Sequence, residues 1–138
     1  MKALAIAVAV LIAQAASAGQ QLDCLAEAVY FEARGEPISG QLAVAHVVLN
    51  RVSDPRWPNN MCSVVHQRYQ FSYYWDGKPE LIDDRQAYSA ARMVALYAAS
   101  GGIDITEGAT HYHSLSVRPL WAKYLQRITT IEKHVFYR

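Results

Sequence analysis

The pattern of hydrophobic and polar positions predicts a helix near the start of the chain that carries one misplaced charge. Over residues 25–34, Leu25, Val29 and Glu32 fall on nearly one line, because seven residues make almost two helical turns. Residues 35–37, Gly-Glu-Pro, then supply the signals that end a helix. A carboxylate on an apolar stripe is costly unless it is paired or used. Glu32 is therefore the side chain that needs an explanation.

The same pattern predicts further helices and then two strands. Residues 41–52 are apolar nearly all the way round, which is typical of a buried helix. A short helix over 61–66 and an amphipathic helix over 83–100 follow. Residues 109–115 and 129–137 are rich in the Thr, Tyr, Val and Phe side chains that favour strands. The predicted fold class is α+β, a mostly helical single domain with a small antiparallel sheet in the C-terminal third.

Composition sets residues 1–18 apart from the rest. Lys2 precedes an apolar run that ends at Ala13, and Ala16-Ser17-Ala18 provides a small-x-small site, which together are the parts of a secretory signal. The run is shorter than the roughly 20 residues that span a membrane. We predict cleavage after Ala18 and a domain over 19–138 that is exported to the periplasm or outside the cell. The alternative is an anchor that is retained or slowly released.

The cysteines and the net charge narrow the class of partner. Cys24 and Cys62 are the only cysteines, and in an oxidising compartment an isolated pair is more typical of a disulfide than of a redox or metal site. The formal net charge is +1 and falls to zero without Lys2. A neutral domain argues against nucleic acid as a partner. An anionic polymer would have to be held by local contacts.

Two features suggest chemistry on sugars. Residues 69–75 hold five aromatic side chains with polar residues between them, which favours a groove that stacks on sugar rings, although an aromatic mini-core under a loop fits equally well. In a partly dry position, the pKa of Glu32 rises towards the value that a general acid needs. A protonated Glu beside such a groove can protonate a glycosidic oxygen. The alternative is a structural ion pair of Glu32 with Arg34 or Arg51.

Metal chemistry receives little support from the sequence. His111 and His113 point the same way on a strand, but a zinc site needs at least a third protein ligand. Neither His46 nor His134 lies at a diagnostic spacing from this pair. We therefore expect no metal and no cofactor.

Several blocks of the sequence resemble the SleB-type cell-wall hydrolase family, the catalytic module of spore cortex-lytic enzymes. They occur in the family's order over nearly all of residues 22–138. The blocks are Ala28-Val29-Tyr30-Phe31-Glu32-Ala33-Arg34-Gly35-Glu36-Pro37, Gly40-Gln41, Ala43-Val44-Ala45, Val48-Leu49-Asn50-Arg51-Val52, Cys62-Ser63-Val64-Val65, Gln70-Phe71-Ser72, Thr110-His111-Tyr112-His113, Pro119-x-Trp121 and Lys133-His134-Val135-Phe136-Tyr137.

The resemblance implies a lysozyme-like fold that acts on peptidoglycan, with Glu32 as the catalytic acid. It also implies a lytic transglycosylase that cuts between N-acetylmuramic acid and N-acetylglucosamine, a reaction that one Glu can catalyse. Hydrolysis, the alternative, needs a second carboxylate, for which Glu36 and then Asp76 are candidates. We expect a monomer, and we expect substrate contacts from residues in or near the matching blocks: Glu36, Gln70, Phe71, Ser72, Tyr112, His113 and Trp121.

Two rival classes stay open beside this interpretation. The first is a metal-dependent peptidase or amidase of the same polymer that uses His111 and His113. The second is a glycan-binding module whose aromatic side chains hold the cell wall without cutting it.

Overall fold

The computed structural model describes the backbone of residues 2–67 and 70–138 and the side chains of residues 17–67 and 70–138. Five α-helices precede a small sheet. The elements are α1 (Lys2–Ala33), α2 (Ile38–Val52), α3 (Met61–Val65), α4 (Ser72–Trp75), α5 (Arg85–Ala99), β1 (His111–Ser114), a 3₁₀ helix (Leu120–Tyr124), β2 (Arg127–Ile131) and β3 (His134–Tyr137). This confirms the predicted α+β class with its sheet in the C-terminal third.

Helix α1 lies at the centre of the helical part and packs against α2, α3 and α5. Leu25 and Val29, the apolar members of its predicted stripe, are fully buried. The helix ends at Ala33, and Gly35 adopts a φ of 85°, a left-handed conformation that glycine reaches without steric cost. The chain can therefore reverse directly after Glu32 and bring α2 back alongside.

Helix α2 joins the helical part to the sheet. Its Ala45 and Val48 lie in the larger helical core, whereas Ala43 and Val47 pack on Phe136 of β3. This two-sided burial explains why the segment is apolar nearly all the way round.

The prediction of a single strand over 129–137 is wrong. Glu132 adopts a φ of 52° and turns the chain there, which divides the segment into β2 and β3.

The three strands form an antiparallel sheet in the order β1-β3-β2. Because side chains alternate between the two faces of a sheet, Tyr112, His134 and Phe136 share the face towards the helices. We call this the inner face. His111, His113, Val135 and Tyr137 share the opposite face, which we call the outer face.

A hydrogen-bonded loop fixes where β1 begins. Asn50 of α2 donates to Asp104 (2.8 Å) and to the carbonyl of Ala109 (2.9 Å). Asp104 also accepts from the backbone N–H groups of Thr106 and Gly108. Asn50 therefore positions the strand that carries Tyr112.

The predicted disulfide is present and joins Cys24 of α1 to Cys62 of α3. It closes a loop with a sequence separation of 38 residues, and on the chain-entropy model such a loop stabilises the fold by about 3–4 kcal/mol.

The side chains of residues 1–16, most of the predicted signal segment, lie outside those that the structure describes. Its cleavage and the domain bounds 19–138 remain predictions. Among the residues that the structure describes, none of the helices combines the length and the apolar character that crossing a membrane requires.

Candidate active site

Glu32 sits in the last turn of α1, where the helix meets the inner face of the sheet. The Tyr112 hydroxyl donates a hydrogen bond of 3.0 Å to Oε2 of Glu32 across 80 residues of sequence. Arg34 does not pair with Glu32, because its guanidinium turns to Asp83 at 2.9 Å. Within the described residues, no cation lies within the 4.0 Å of an ion pair with Glu32. The structural ion pair that was the alternative for Glu32 is therefore not formed.

The surroundings of Glu32 favour its protonated form. Burial raises the pKa of this carboxyl above its usual range, and the nearby charge of Glu36 acts in the same direction. The hydrogen bond from Tyr112 and the charge of Arg51 act against burial. Burial also raises the pKa of Tyr112 well above its usual value, so the phenol stays protonated and can donate. The site thus places a carboxyl of raised pKa beside a fixed hydrogen-bond donor.

Arg51 is a nearly buried cation on α2, with 5 % of its surface exposed. Its Nε donates to the carbonyl of Thr110 (2.7 Å) and its Nη1 to Oε1 of Gln70 (3.3 Å). The guanidinium lies over Trp57 and Phe71, at 5.6 Å from each ring centroid. These contacts hold the charge near Glu32 without forming a salt bridge to it.

Glu36 occupies a separate position behind the turn. Its Oε1 lies 3.3 Å from Nδ1 of His134, within ion-pair range, although the pair lacks hydrogen-bond geometry. The His134 ring meets the Tyr112 ring edge-on at 5.2 Å. A Cβ added at Gly40 would lie 3.1 Å from the Glu36 carboxylate, so the glycine makes room for it. His134 is therefore the side chain that lies against the Glu36 carboxylate.

A cleft of about 440 Å³ opens beside Tyr112 along the free edge of β1. Among the described residues that line it, none is acidic. They are Arg51, Gln70, His111, Tyr112 and Trp121. Glu32, which is partly exposed, adjoins the cleft through its hydrogen bond to Tyr112.

Aromatic rings surround the outer side of this cleft. The His111 ring lies between Trp57 and Trp121, at 5.4 Å from each centroid. Trp121 also contacts His113 (5.7 Å) and Tyr137 (5.5 Å). Burial, followed by the charge of Arg51, lowers the pKa of His111. The cleft wall therefore combines flat ring faces with a neutral imidazole, a lining suited to sugar rings and their hydroxyls.

The aromatic run over 69–75 divides between core and surface. Tyr69 lies outside the described residues. Phe71, a predicted substrate contact, is 1 % exposed and packs in the core beneath Arg51, so direct contact with a ligand is excluded. Tyr73 stacks on Phe31, and Trp75 is exposed. The mini-core interpretation describes this run better than the groove does.

The other predicted site residues differ in whether they line the cleft that adjoins Glu32. Gln70, Tyr112 and Trp121 line the cleft. His113 lies on the outer face, where its Nε2 and the Tyr137 hydroxyl are 2.9 Å apart. Ser72 is exposed at the first turn of α4 and is not among the residues that line the cleft. Sequence reasoning missed Arg51 and His111 as cleft residues, although each lies within or beside a matching block.

The two strand histidines are each engaged within the protein. His111 Nδ1 lies 3.0 Å from the Thr110 hydroxyl, and His113 Nδ1 lies 2.8 Å from the Ser114 carbonyl oxygen. Among residues 17–67 and 70–138, no group of three or more metal-ligating side chains comes together.

Comparison with curated proteins finds relatives of one kind. The chain is 36 % identical over 118 residues to the spore cortex-lytic enzyme of Halalkalibacterium halodurans and 35 % identical over 112 residues to that of Bacillus subtilis. These alignments cover 83 % and 81 % of this chain but 34 % and 35 % of the relatives. The chain therefore spans about a third of the length of these relatives.

Comparison with solved structures identifies the same kind of domain. The catalytic domain of the germination-specific lytic transglycosylase SleB from Bacillus anthracis matches with a TM-score of 0.74 and 34 % identity, covering 86 % of this chain and 93 % of that one. The catalytic domain of the Bacillus cereus SleB protein matches with a TM-score of 0.73 and 34 % identity, covering 86 % and 89 %.

A sequence model of the Cell Wall Hydrolase family matches residues 35–137. The match begins three residues after Glu32, so the role of this residue rests on the site geometry and stays a prediction. The resemblance seen in the sequence is confirmed, and the chain belongs to the Cell Wall Hydrolase family.

Proposed function

We propose that this chain is a glycosidase that degrades peptidoglycan, and specifically a lytic transglycosylase that cleaves between N-acetylmuramic acid and N-acetylglucosamine. The observation that carries the proposal is the environment of Glu32. A carboxyl whose pKa is raised by burial, with a fixed phenol donor at 3.0 Å, adjoins a cleft lined by aromatic rings. The family and the SleB catalytic domains support the polymer and the reaction class.

In the first step, protonated Glu32 donates its proton to the glycosidic oxygen as the bond to the muramic C1 breaks. The carboxylate that remains is stabilised by the Tyr112 hydrogen bond and by the charge of Arg51, the two contacts that lower the pKa of Glu32. Both are already in place before the proton leaves. The carboxylate is therefore stabilised without any reorganisation at the moment of reaction.

In the second step, the muramic 6-hydroxyl attacks C1 and closes a 1,6-anhydro ring. Glu32, now ionised, removes the proton of that hydroxyl and returns to its starting state. One carboxyl thus acts as the acid and then as the base. No water enters the products, and the products are a new 4-hydroxyl end and an anhydro end.

Hydrolysis needs a second carboxylate that activates water or attacks C1. Glu36 is the nearest candidate, but its carboxylate lies against His134 and, unlike that of Glu32, makes no hydrogen bond to a described side chain that lines the cleft. Asp76 is exposed in the loop that follows α4. This placement favours transglycosylation.

We further propose that residues 19–138 form the catalytic domain, exported by way of residues 1–18 and acting as a monomer on the cell wall. Substrate contacts are assigned to Gln70, Tyr112 and Trp121 in the cleft, with His113 behind Trp121. Glu36 is assigned a supporting role through His134.

Mass spectrometry of the products from purified sacculi tests the reaction class. We expect disaccharide-peptide fragments with 1,6-anhydro ends, intact peptide stems and full activity in the presence of a chelator. Reducing ends would show hydrolysis instead, and cleaved stems would show a peptidase or amidase. Tight binding without soluble products would show a glycan-binding module. Glu32→Gln is the control, and it should release fragments at least about a hundredfold more slowly.

A further inference from the structure

The net charge of the chain hides an uneven distribution. Residues 1–107 hold eight Lys or Arg and eleven Asp or Glu, whereas residues 108–138 hold five Lys or Arg and a single carboxylate side chain, that of Glu132. The sheet and its connections are therefore strongly basic within a molecule whose formal net charge is +1. A local field of this kind attracts anions that the whole molecule would not.

Three of these five cations surround one pocket of about 590 Å³ at the outer face of the sheet. Its volume is within the range of pockets that take small ligands, about 300–1,000 Å³. We call it the basic pocket. It combines three cations, Arg118, Lys123 and Arg127, with an apolar floor that includes Ala122, Leu125 and Val135.

Among the residues that the structure describes, the cations of the basic pocket have no acidic partner. In the described ranges, no carboxylate lies within 4.0 Å of any of the three. Arg118 and Lys123 are exposed. Arg127 donates to the hydroxyl of Thr130, a neutral acceptor that leaves its charge uncompensated. The pocket is thus open to an anionic ligand.

The basic pocket adjoins the proposed sugar cleft through one side chain. Trp121 lines the cleft and contacts His111, which also lines it. The same indole contacts His113 and Tyr137, which line the basic pocket. A ligand seated on Trp121 in the cleft can therefore extend a substituent into the basic pocket.

We propose that the basic pocket binds the peptide stem of the substrate through its free carboxylates, so that the enzyme prefers glycan strands that still carry stems. This inference rests on the proposed function, since it names a part of the polymer that the same site cleaves. The stem is attached to the muramic ring through a lactyl group, begins with a small apolar residue and carries carboxylates further out. The small apolar residue matches the pocket floor, and the carboxylates match its rim of cations.

The test uses three soluble, uncross-linked strand preparations freed of attached wall polymers and proteins. The first carries intact stems, the second has had its stems removed by an amidase, and the third has its stem carboxylates converted to amides. For the unmodified protein we expect the lowest KM on intact stems. In Arg118→Gln/Lys123→Gln, that KM should rise about three- to tenfold, the effect of two exposed ion pairs, while the KM on the other two preparations stays unchanged.

A matched control is Lys78→Gln/Arg85→Gln, which removes the same charge from two exposed side chains outside the cleft and the basic pocket. It should leave all three KM values unchanged, and thermal unfolding should be alike for both double variants. An equal KM change on all three strands, or none on intact stems, overturns the inference but leaves the proposed function standing. Failure of the unmodified protein to cut any strand overturns the proposed function itself.

Discussion

The two faces of the small sheet have different roles in the proposed mechanism. On the inner face, Tyr112 donates a hydrogen bond to Glu32 and His134 lies against Glu36, so the side chains there surround the proposed proton donor. On the outer face, His113 and Tyr137 join Trp121 in a cluster of rings that borders the basic pocket. We therefore expect neighbouring residues of β1 to serve chemistry and binding in alternation, because successive side chains of a strand point to opposite faces.

A short strand can therefore serve a site whose two tasks, proton transfer and polymer binding, have opposite requirements. Proton control needs a dry, fixed environment, and the Tyr112 ring stacks on Phe136 and meets His134 edge-on. Polymer binding needs open ring faces and accessible charges. The comparison predicts that changes on the inner face alter kcat and the pH profile, whereas changes on the outer face alter KM.

Glu32→Gln is expected to have the largest effect. The amide cannot transfer the proton, so kcat should fall by about 10²–10⁴-fold while binding to sacculi persists. Fragment release measured by liquid chromatography checks this, with Glu80→Gln, an exposed carboxylate, as the control. Retention of more than a tenth of the activity would remove Glu32 from the mechanism.

The same variant should be more stable than the unmodified protein at neutral pH. Burial raises the folded-state pKa of Glu32, so ionising it costs more in the folded than in the unfolded protein. Its contribution to stability therefore declines as the pH rises from the unfolded pKa through the raised one. Removing the charge should add about 0.5–2 kcal/mol above this window, and nothing below it. Denaturant unfolding at two pH values on either side of the window measures the difference.

Tyr112→Phe should lower kcat by about 10- to 100-fold, the effect of one hydrogen bond to a charged group. The bond favours ionised Glu32, so its loss should raise the pKa of Glu32 further. The high-pH limb of the kcat/KM profile, where the acid loses its proton, should then move to higher pH. Tyr97→Phe, a partly exposed tyrosine of α5, serves as the control. An unmoved limb would contradict the role of the inner face.

Trp121→Ala tests the other face and should raise KM by up to about tenfold, the effect of one aromatic contact. The pH profile should not move, because Trp121 contacts the outer-face rings and not the Glu32 carboxyl. Trp75→Ala is a matched control, since Trp75 is exposed on α4 and does not line the cleft. A shift of the high-pH limb in Trp121→Ala would contradict the assignment of the pH profile to the inner face and of KM to the outer face.

Local patterns predicted most of this fold because helices are local structures. The stripe of Leu25, Val29 and Glu32 lies within eight consecutive residues, 25–32, and is visible without knowing which element packs against it. The turn at Glu132 escaped prediction because its left-handed backbone conformation usually falls on Gly or Asn, neither of which is present there. One strand was therefore predicted where a hairpin occurs.

The partners in the site could not be predicted from periodicity. The bond from Tyr112 to Glu32 crosses 80 residues, and the contact of Glu36 with His134 joins the end of α1 to β3. Phe71 is a second case in which the local sequence does not determine the surroundings of a side chain. An aromatic residue in a polar loop fits a groove or a core equally well. Only the folded structure, in which the Phe71 ring is buried beneath Arg51, shows that it belongs to the core.

Glu36→Gln is expected to have the smallest effect and to separate the two reaction classes. In a transglycosylase, Glu36 supports the site through His134, so kcat should change only a few-fold. Its charge raises the pKa of Glu32, and neutralising it should move the high-pH limb to lower pH, opposite to Tyr112→Phe. His134→Gln keeps the Glu36 charge, so the high-pH limb of the kcat/KM profile should stay where it is or move to higher pH. A loss of about 10²–10⁴-fold in Glu36→Gln, with reducing ends in the wild-type products, would instead make Glu36 the second catalytic carboxylate of a hydrolase.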